Sequence, residues 1–175
     1  MAPILTDHSF DIITHSPGQT YSLGRMLGRL LGPGDVVCLQ GDLGTGKTCL
    51  TQGIGAGLNV VGTIHSPTFV FVNEHPPATS GPYLYHIDLY RISDISDVFG
   101  LGVEDYIYGD GVTVIEWAER AREMMPRERL WISLSFTDHT KRTLILEATG
   151  ERYVRILEQL RQELFGQKQP KPTGN

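Results

Sequence analysis

The chain has 175 residues, 40% hydrophobic and 9% aromatic, which suits one substantial globular core and excludes a fibrous or largely disordered chain. Fifteen Lys and Arg against twenty Asp and Glu give a formal net charge of -5, so the surface lacks the positive field that tight, direct binding of DNA or RNA requires. Two cysteines, Cys38 and Cys49, write neither a disulfide framework nor a zinc knuckle.

No segment reaches the roughly 18 apolar residues of a membrane span, and MAPILTDHSFDIITH lacks the basic and apolar regions of a leader, so a cytoplasmic location is expected. In chain order, Phe10 to Ile13 predicts a short first strand. SPGQTYSLGRMLGRLL then reads as a helix: Ser16 suits the cap, Pro17 the first position, and Gln19 a capping box. Leu23, Met26, Leu27, Leu30 and Leu31 recur at helical spacing as a packing stripe, and GPGD ends the helix. Val36 to Gln40 is a compact apolar run that predicts a buried strand feeding GDLGTGKT, followed by a helix to Gly57.

TIHSPTFVFVNEH begins as a polar loop and becomes a strand through Phe71 or Val72, and PPATSG is a connecting loop. YLYHIDLYR predicts a strand whose end carries Asp88, and Asp94 to Tyr108 includes helix. Val112 to Ile115 predicts an interior strand with Glu116 and Trp117 at its end. LWISLSF and RTLILEA alternate as a hairpin, and ERYVRILEQLRQELF is a helix packing Val154, Leu157, Leu160, Leu164 and Phe165. The expectation is an α/β chain: a three-layer P-loop fold with a mixed parallel and antiparallel central sheet and a late β-hairpin. It would form a single domain over residues 1–165 with a flexible tail at 166–175.

Gly41, Gly46, Lys47 and Thr48 satisfy the Gly-four residues-Gly-Lys-Thr pattern, with strand before and helix after. Glycines let backbone N–H groups curve around phosphate oxygens, and a helix start adds its favourable dipole. Gly41, Asp42, Leu43, Gly44, Thr45, Gly46, Lys47, Thr48 and Cys49 are therefore the candidate nucleotide-binding residues, with Lys47 reaching the terminal phosphates and Thr48 offering its hydroxyl to Mg2+. No Asn-Lys-x-Asp segment is present to read guanine, and DVFG at Asp97 to Gly100 follows no convincing strand, so ATP is favoured over GTP.

A triphosphate site needs a metal and a group that positions the attacking oxygen. Asp88 and Glu116 are the acidic candidates, because strand ends are where an α/β sheet places ligand loops. Glu116 would coordinate Mg2+, directly or through water, or orient the attacking water; Asp88 would hold the metal or one of its waters. Either acid would instead cap a following turn or helix if it served structure alone. His65, Ser66, Pro67 and Thr68 form a polar stop in which Ser66 or Thr68 would sense the terminal phosphate and Pro67 restricts the turn, or which would simply cap a loop. Trp117 would stack on adenine or fill a core gap. His65, His75 and His86 lack ordered zinc-ligand spacing, so structural or surface roles are expected of them.

QGDLGTGKT, HSPTF, HIDLYR and VIEW, taken together, resemble the TsaE family, historically the YjeE family, of bacterial ATPases involved in forming threonylcarbamoyladenosine in tRNA. The resemblance runs from about Ile12 to Ala148. It implies that Gly41 to Thr48 bind phosphate, that Ser66, Pro67 and Thr68 form a switch, and that His86, Asp88, Leu89, Tyr90 and Arg91 match a family element. It implies Thr48 and Glu116 at magnesium, Asp88 assisting the metal or the hydrolytic centre, Lys47, Asp88 and Glu116 as the catalytic set, and Trp117 near the nucleotide. It further implies association with TsaB and TsaD, with transfer onto adenosine 37 belonging to TsaD and tRNA met indirectly through the complex. Two departures, Cys49 where threonine is frequent and Ala118 where proline is frequent, remove no ligand. A small-molecule or nucleotide kinase and a non-hydrolysing ATP-dependent binding switch are the competing readings.

Overall fold

The computed structural model describes residues 8–67 and 71–166. In chain order these form β1 (Ser9–Thr14), α1 (Pro17–Leu30), β2 (Val36–Gln40), α2 (Lys47–Gly57), β3 (Val72–His75), β4 (Leu84–Asp88), α3 (Ile95–Phe99), α4 (Val103–Ile107), β5 (Val112–Glu116), β6 (Arg129–Phe136), β7 (Arg142–Thr149) and α5 (Glu151–Phe165). Among the described residues the strands make one sheet in the order β1-β7-β6-β2-β5-β4-β3. Its centre is parallel, β2 lying between β5 and β6 with β4 beyond β5, while β1, β7 and β6 run antiparallel on one flank and β3 pairs antiparallel with β4 on the other.

Alternation along β2 explains the three layers. Val37 and Leu39 face a core with Leu23 and Leu27 of α1, Leu50 and Ile54 of α2, and Ile156, Leu157 and Leu160 of α5. Val36 and Cys38 face the opposite core, built with Ile87, Val98, Val103, Ile107, Ile115 and Trp131. A strand apolar on both faces is the pattern of a parallel sheet covered on both sides. α1 starts as its sequence dictates, with Pro17 in the first turn and the Ser16 hydroxyl accepting from Gln19 N at 3.2 Å. The Gln19 side chain reaches one residue further back than a capping box requires, accepting from His15 N at 2.8 Å.

α1 and α2 pack backbone to backbone. A Cβ on Gly24 or Gly28 would collide with the carbonyl oxygen of Leu50 or Ile54, and one on Gly53 or Gly57 with that of Tyr21 or Arg25. Two glycines per helix, four residues apart, therefore replace the side-chain layer that ordinarily separates helices.

One local expectation needs correction. The strand after the Ser-Pro-Thr segment begins at Val72 and ends at His75, further along than its apolar run implied, because its partners are Ile87 through Leu84 of β4. The helix expected within Asp94 to Tyr108 is present as two short helices, α3 and α4, the second opening at Gly102 with a left-handed φ of 66. Ala118–Met124 forms a 3₁₀ segment with a kink at Ala121, which no periodicity announced. In α5, Tyr153 and Ile156 are buried with Leu157 and Leu160, while Phe165 is 52% exposed and touches Phe10 edge to face. Of the expected tail, residues 167–175 lie outside the described residues.

Candidate functional site

β2 delivers the chain into the glycine-rich loop at Gln40, and α2 takes it out at Lys47. Gly41 must be glycine, since a Cβ there would lie 2.5 Å from Leu134 O and 2.8 Å from Thr45 Oγ1. Gly44 and Gly46 hold left-handed φ values of 80 and 104, open to glycine without strain. Gly46 caps α2 without a side-chain bond. The first N–H groups of that helix thus face outward as anion donors.

The Lys47 side chain is buried, its Nζ donating to Gly41 O at 2.6 Å and Asp42 O at 2.9 Å and standing 4.1 Å from the centre of the Trp117 ring. Burial pulls its pKa below the ordinary lysine value, and the nearby carboxylates of Glu116, Glu119, Asp88 and Asp42 oppose that shift. Thr45 is buried and donates to Asp42 O at 2.8 Å, closing the loop on itself.

Asp88 and Glu116 are brought together by parallel pairing of β4 with β5, which sets them opposite one another at the strand ends. Glu116 is 2% exposed and gathers four contacts: Thr48 Oγ1 at 3.0 and 3.1 Å from its two oxygens, Thr51 Oγ1 at 3.3 Å, and His86 Nε2 at 2.8 Å. Thr48 has one hydroxyl proton; with that proton on Glu116, its 2.9 Å contact with Ser66 Oγ has Ser66 as donor. Asp88 is less enclosed and accepts from Tyr90 N at 2.8 Å. Desolvation raises its pKa, with the Tyr90 N–H working against that and the Glu116 charge adding to it.

These residues line a cavity of about 370 Å³ whose walls include Gly44, Gly46, Lys47, Thr48, Cys49, Ser66, Pro67, Phe71, Asp88, Arg91, Glu116 and Trp117. Leu43, 70% exposed, and Tyr90, 44% exposed, stand at its rim. A second cavity of about 360 Å³ adjoins the loop on its Cys49 side, walled by His15, Ser16, Pro17, Thr20, His139, Thr140 and Arg142. Trp117 belongs to the first of these. Its φ of 58 turns the chain sharply after Glu116, and its ring meets Tyr90 at 5.0 Å and the Arg120 guanidinium at 5.0 Å.

The sequence-predicted residues thus converge, Thr68 excepted, which lies outside the described residues. Sequence reasoning gave His86 no contact and passed over Thr51 and Glu119. Thr51 is four residues past Lys47 on α2, a spacing that puts both on one helix face. Glu119 follows Trp117 closely; its carboxyl sits beside Lys47 and Gly41, burial raises its pKa, and its Oε2 has no partner among the described residues.

No group of three or more His, Cys, Asp and Glu side chains is placed to hold a metal among the described residues. Thr48, Asp88 and Glu116 nonetheless present hard oxygen donors at one cavity mouth. That set fits Mg2+, which takes one or two carboxylates and completes its shell with phosphate and water.

The chain matches the family model described as threonylcarbamoyl adenosine biosynthesis protein TsaE over residues 14–144. It is 37% identical over 147 residues to the tRNA threonylcarbamoyladenosine biosynthesis protein TsaE of Bacillus subtilis, covering 84% of this chain and 90% of that one. Its likeness to the protein of the same name from Streptomyces coelicolor is 41% over 135 residues, covering 75% and 91% of the two chains. The crystal structure of YdiB from Bacillus subtilis superposes with a TM-score of 0.73 at 33% identity, covering 89% of this chain and 95% of that one.

Proposed function

Because the chain belongs to the TsaE family, we propose that it is an ATP-binding and ATP-hydrolysing accessory protein in the formation of threonylcarbamoyladenosine at adenosine 37 of tRNA, working with TsaB and TsaD. The observation that carries the hydrolytic part is the meeting of Thr48, Asp88 and Glu116 beside the Lys47 loop, three oxygen donors from separate elements around one cavity.

The N–H groups from Gly44 to Thr48 take the phosphate oxygens. Lys47 exchanges the carbonyls of Gly41 and Asp42 for the β- and γ-phosphates, where a cation opposes the charge that develops as the terminal bond breaks. Thr48, its oxygen turned from Glu116, and Asp88 would hold Mg2+, Asp88 directly or through one of its waters, and the metal would supply neutralisation of phosphate charge. Glu116, released from Thr48, accepts a hydrogen bond from the attacking water and aligns it with the γ-phosphorus, and ADP and phosphate are the products. Ser66, already bonded to Thr48, is the contact through which the Ser66-Pro67-Thr68 segment registers the terminal phosphate.

The nucleoside occupies the second cavity, which opens on the Cys49 side of the loop. This reading puts Trp117 beside the phosphates, with Lys47 and the acids, and not under adenine. Contact with tRNA runs through the partners, in keeping with a net charge of -5. No helix among the described residues is long and apolar enough to cross a membrane, and the proposed place of work is the cytoplasm, where the tRNA is.

The test is phosphate release and base modification measured together in a mixture with TsaB, TsaD and tRNA. Lys47→Ala should abolish sustained modification; full modification over many turnovers with that variant would overturn the reading.

A further inference from the structure

The two oxygens of Glu116 are held unequally. Oε1 receives His86 Nε2 at 2.8 Å and Thr48 Oγ1 at 3.0 Å and has Thr51 Oγ1 at 3.3 Å, whose one proton is closer to Lys47 O at 2.9 Å, whereas Oε2 has Thr48 alone, at 3.1 Å. Two of the Oε1 partners come from the interior side, His86 being 0% and Thr51 0% exposed. An ionised carboxylate only accepts, so His86 Nε2 carries the proton in this contact. Without the Thr48 contacts, Oε1 keeps His86 while Oε2 has no other hydrogen bond among the described residues, and Glu116 lines the cavity.

His86 sits where stability alone would place an apolar side chain. It pairs across the sheet with Val114, and its own strand carries the buried Leu84 on the same face. Its Nδ1 is buried with no partner among the described residues, a polar atom that a hydrocarbon would not leave unsatisfied.

We propose that His86 is a positioning residue for hydrolysis: it clamps Glu116 Oε1 so that Oε2 is presented to the attacking water. The inference rests on the hydrolytic reading above and names the group that makes Glu116 competent. Partners of this kind ordinarily change activity by roughly 10–100-fold when removed.

The test compares His86→Leu, His86→Gln and Thr51→Val in the full chain, by phosphate release with TsaB and TsaD present, affinity for a fluorescent ATP analogue, and thermal melting. His86→Leu should lower kcat about 10–100-fold with KM and analogue affinity nearly unchanged and a melting temperature no lower than that of the wild type. His86→Gln, whose amide nitrogen replaces Nε2, should recover most of the loss. Thr51→Val, which removes a hydroxyl bonded first to Lys47 O, should lower kcat by less than His86→Leu does. Wild-type kcat in His86→Leu would overturn the inference, as would equal losses in the Leu and Gln variants that track falling melting temperatures. Absence of phosphate release from the wild type would remove the hydrolytic reading itself and this inference with it.

Discussion

At the scale of single residues, the site is organised around one shared proton and one crowded carboxylate. Thr48 gives its hydroxyl proton to Glu116 while receiving one from Ser66, so a ligand that draws on Thr48 disturbs both Glu116 and the Ser66 segment together. Glu116→Gln should therefore keep ATP affinity within a few-fold and reduce hydrolysis by about 100-fold or more, read by analogue binding beside phosphate release; equal turnover would remove Glu116 from its role. Trp117 provides an independent optical report, because Lys47 stands over its ring. Trp131 is 3% exposed and bonded to Gln40 at 2.9 Å. The fluorescence change on adding ATP should vanish in Trp117→Phe and persist in Trp131→Phe. Asp88 and Glu116 were legible in the sequence because each closes a strand, and Lys47 and Thr48 because their spacing is a motif. His86 was legible as a strand residue and as part of the family element, but without a contact: its bond to Glu116 spans two strands, and no one-dimensional pattern records which neighbour a buried imidazole meets.

At the scale of elements, the α1 and α2 pair depends on what its side chains lack. Gly53→Ala would drive a methyl into Tyr21 O and should destabilise by about 2–3 kcal/mol. Gly18, in the first turn of α1, meets only Ser16 Oγ at 3.7 Å, so Gly18→Ala should gain about 0.5–1 kcal/mol. Urea melts of the two variants check both signs. The leucine stripe of α1 correctly announced a helix with a buried side, but Gly24 and Gly28, at the same periodicity, went unread. Their meaning lies in the matching glycines of α2, and a single helix does not display its partner. The 3₁₀ segment escaped for a related reason: Trp117 enters it through a left-handed turn, so local propensity yields there to the packing of Ala118 and Ala121.

At the scale of the whole molecule, the layers follow from strand composition, whereas the order of strands does not. Val36 to Leu39, apolar on both faces, implies an interior strand; that its neighbours are β5 and β6, and that β1 joins β7 across most of the chain, is decided by pairings distant in sequence. Burial across the central strands has a pH consequence. It pushes the Cys38 thiol from 9.0 up to about 12 and the Tyr153 phenol, which accepts from Val36 N at 2.8 Å, from 10.0 up to about 12. The folded chain keeps both protons where the unfolded chain releases them. Their stabilisation is thus complete below about pH 9 and lost as pH climbs toward 12, at up to about 1.4 kcal/mol per pH unit for each group. Urea midpoints across that range should fall accordingly, and Cys38→Ala should delay the onset to near pH 10. The glycine contact between α1 and α2 acts on this same larger scale. Ser16 at the head of α1 walls the second cavity, α2 begins at the loop, and Leu30 at the foot of α1 is bonded through its carbonyl to Arg152, which also grips Asp35 at 2.8 Å. With no side-chain cushion between them, the two helices pack as one unit that joins the loop to the Asp35–Arg152 ion pair at the other end of α1.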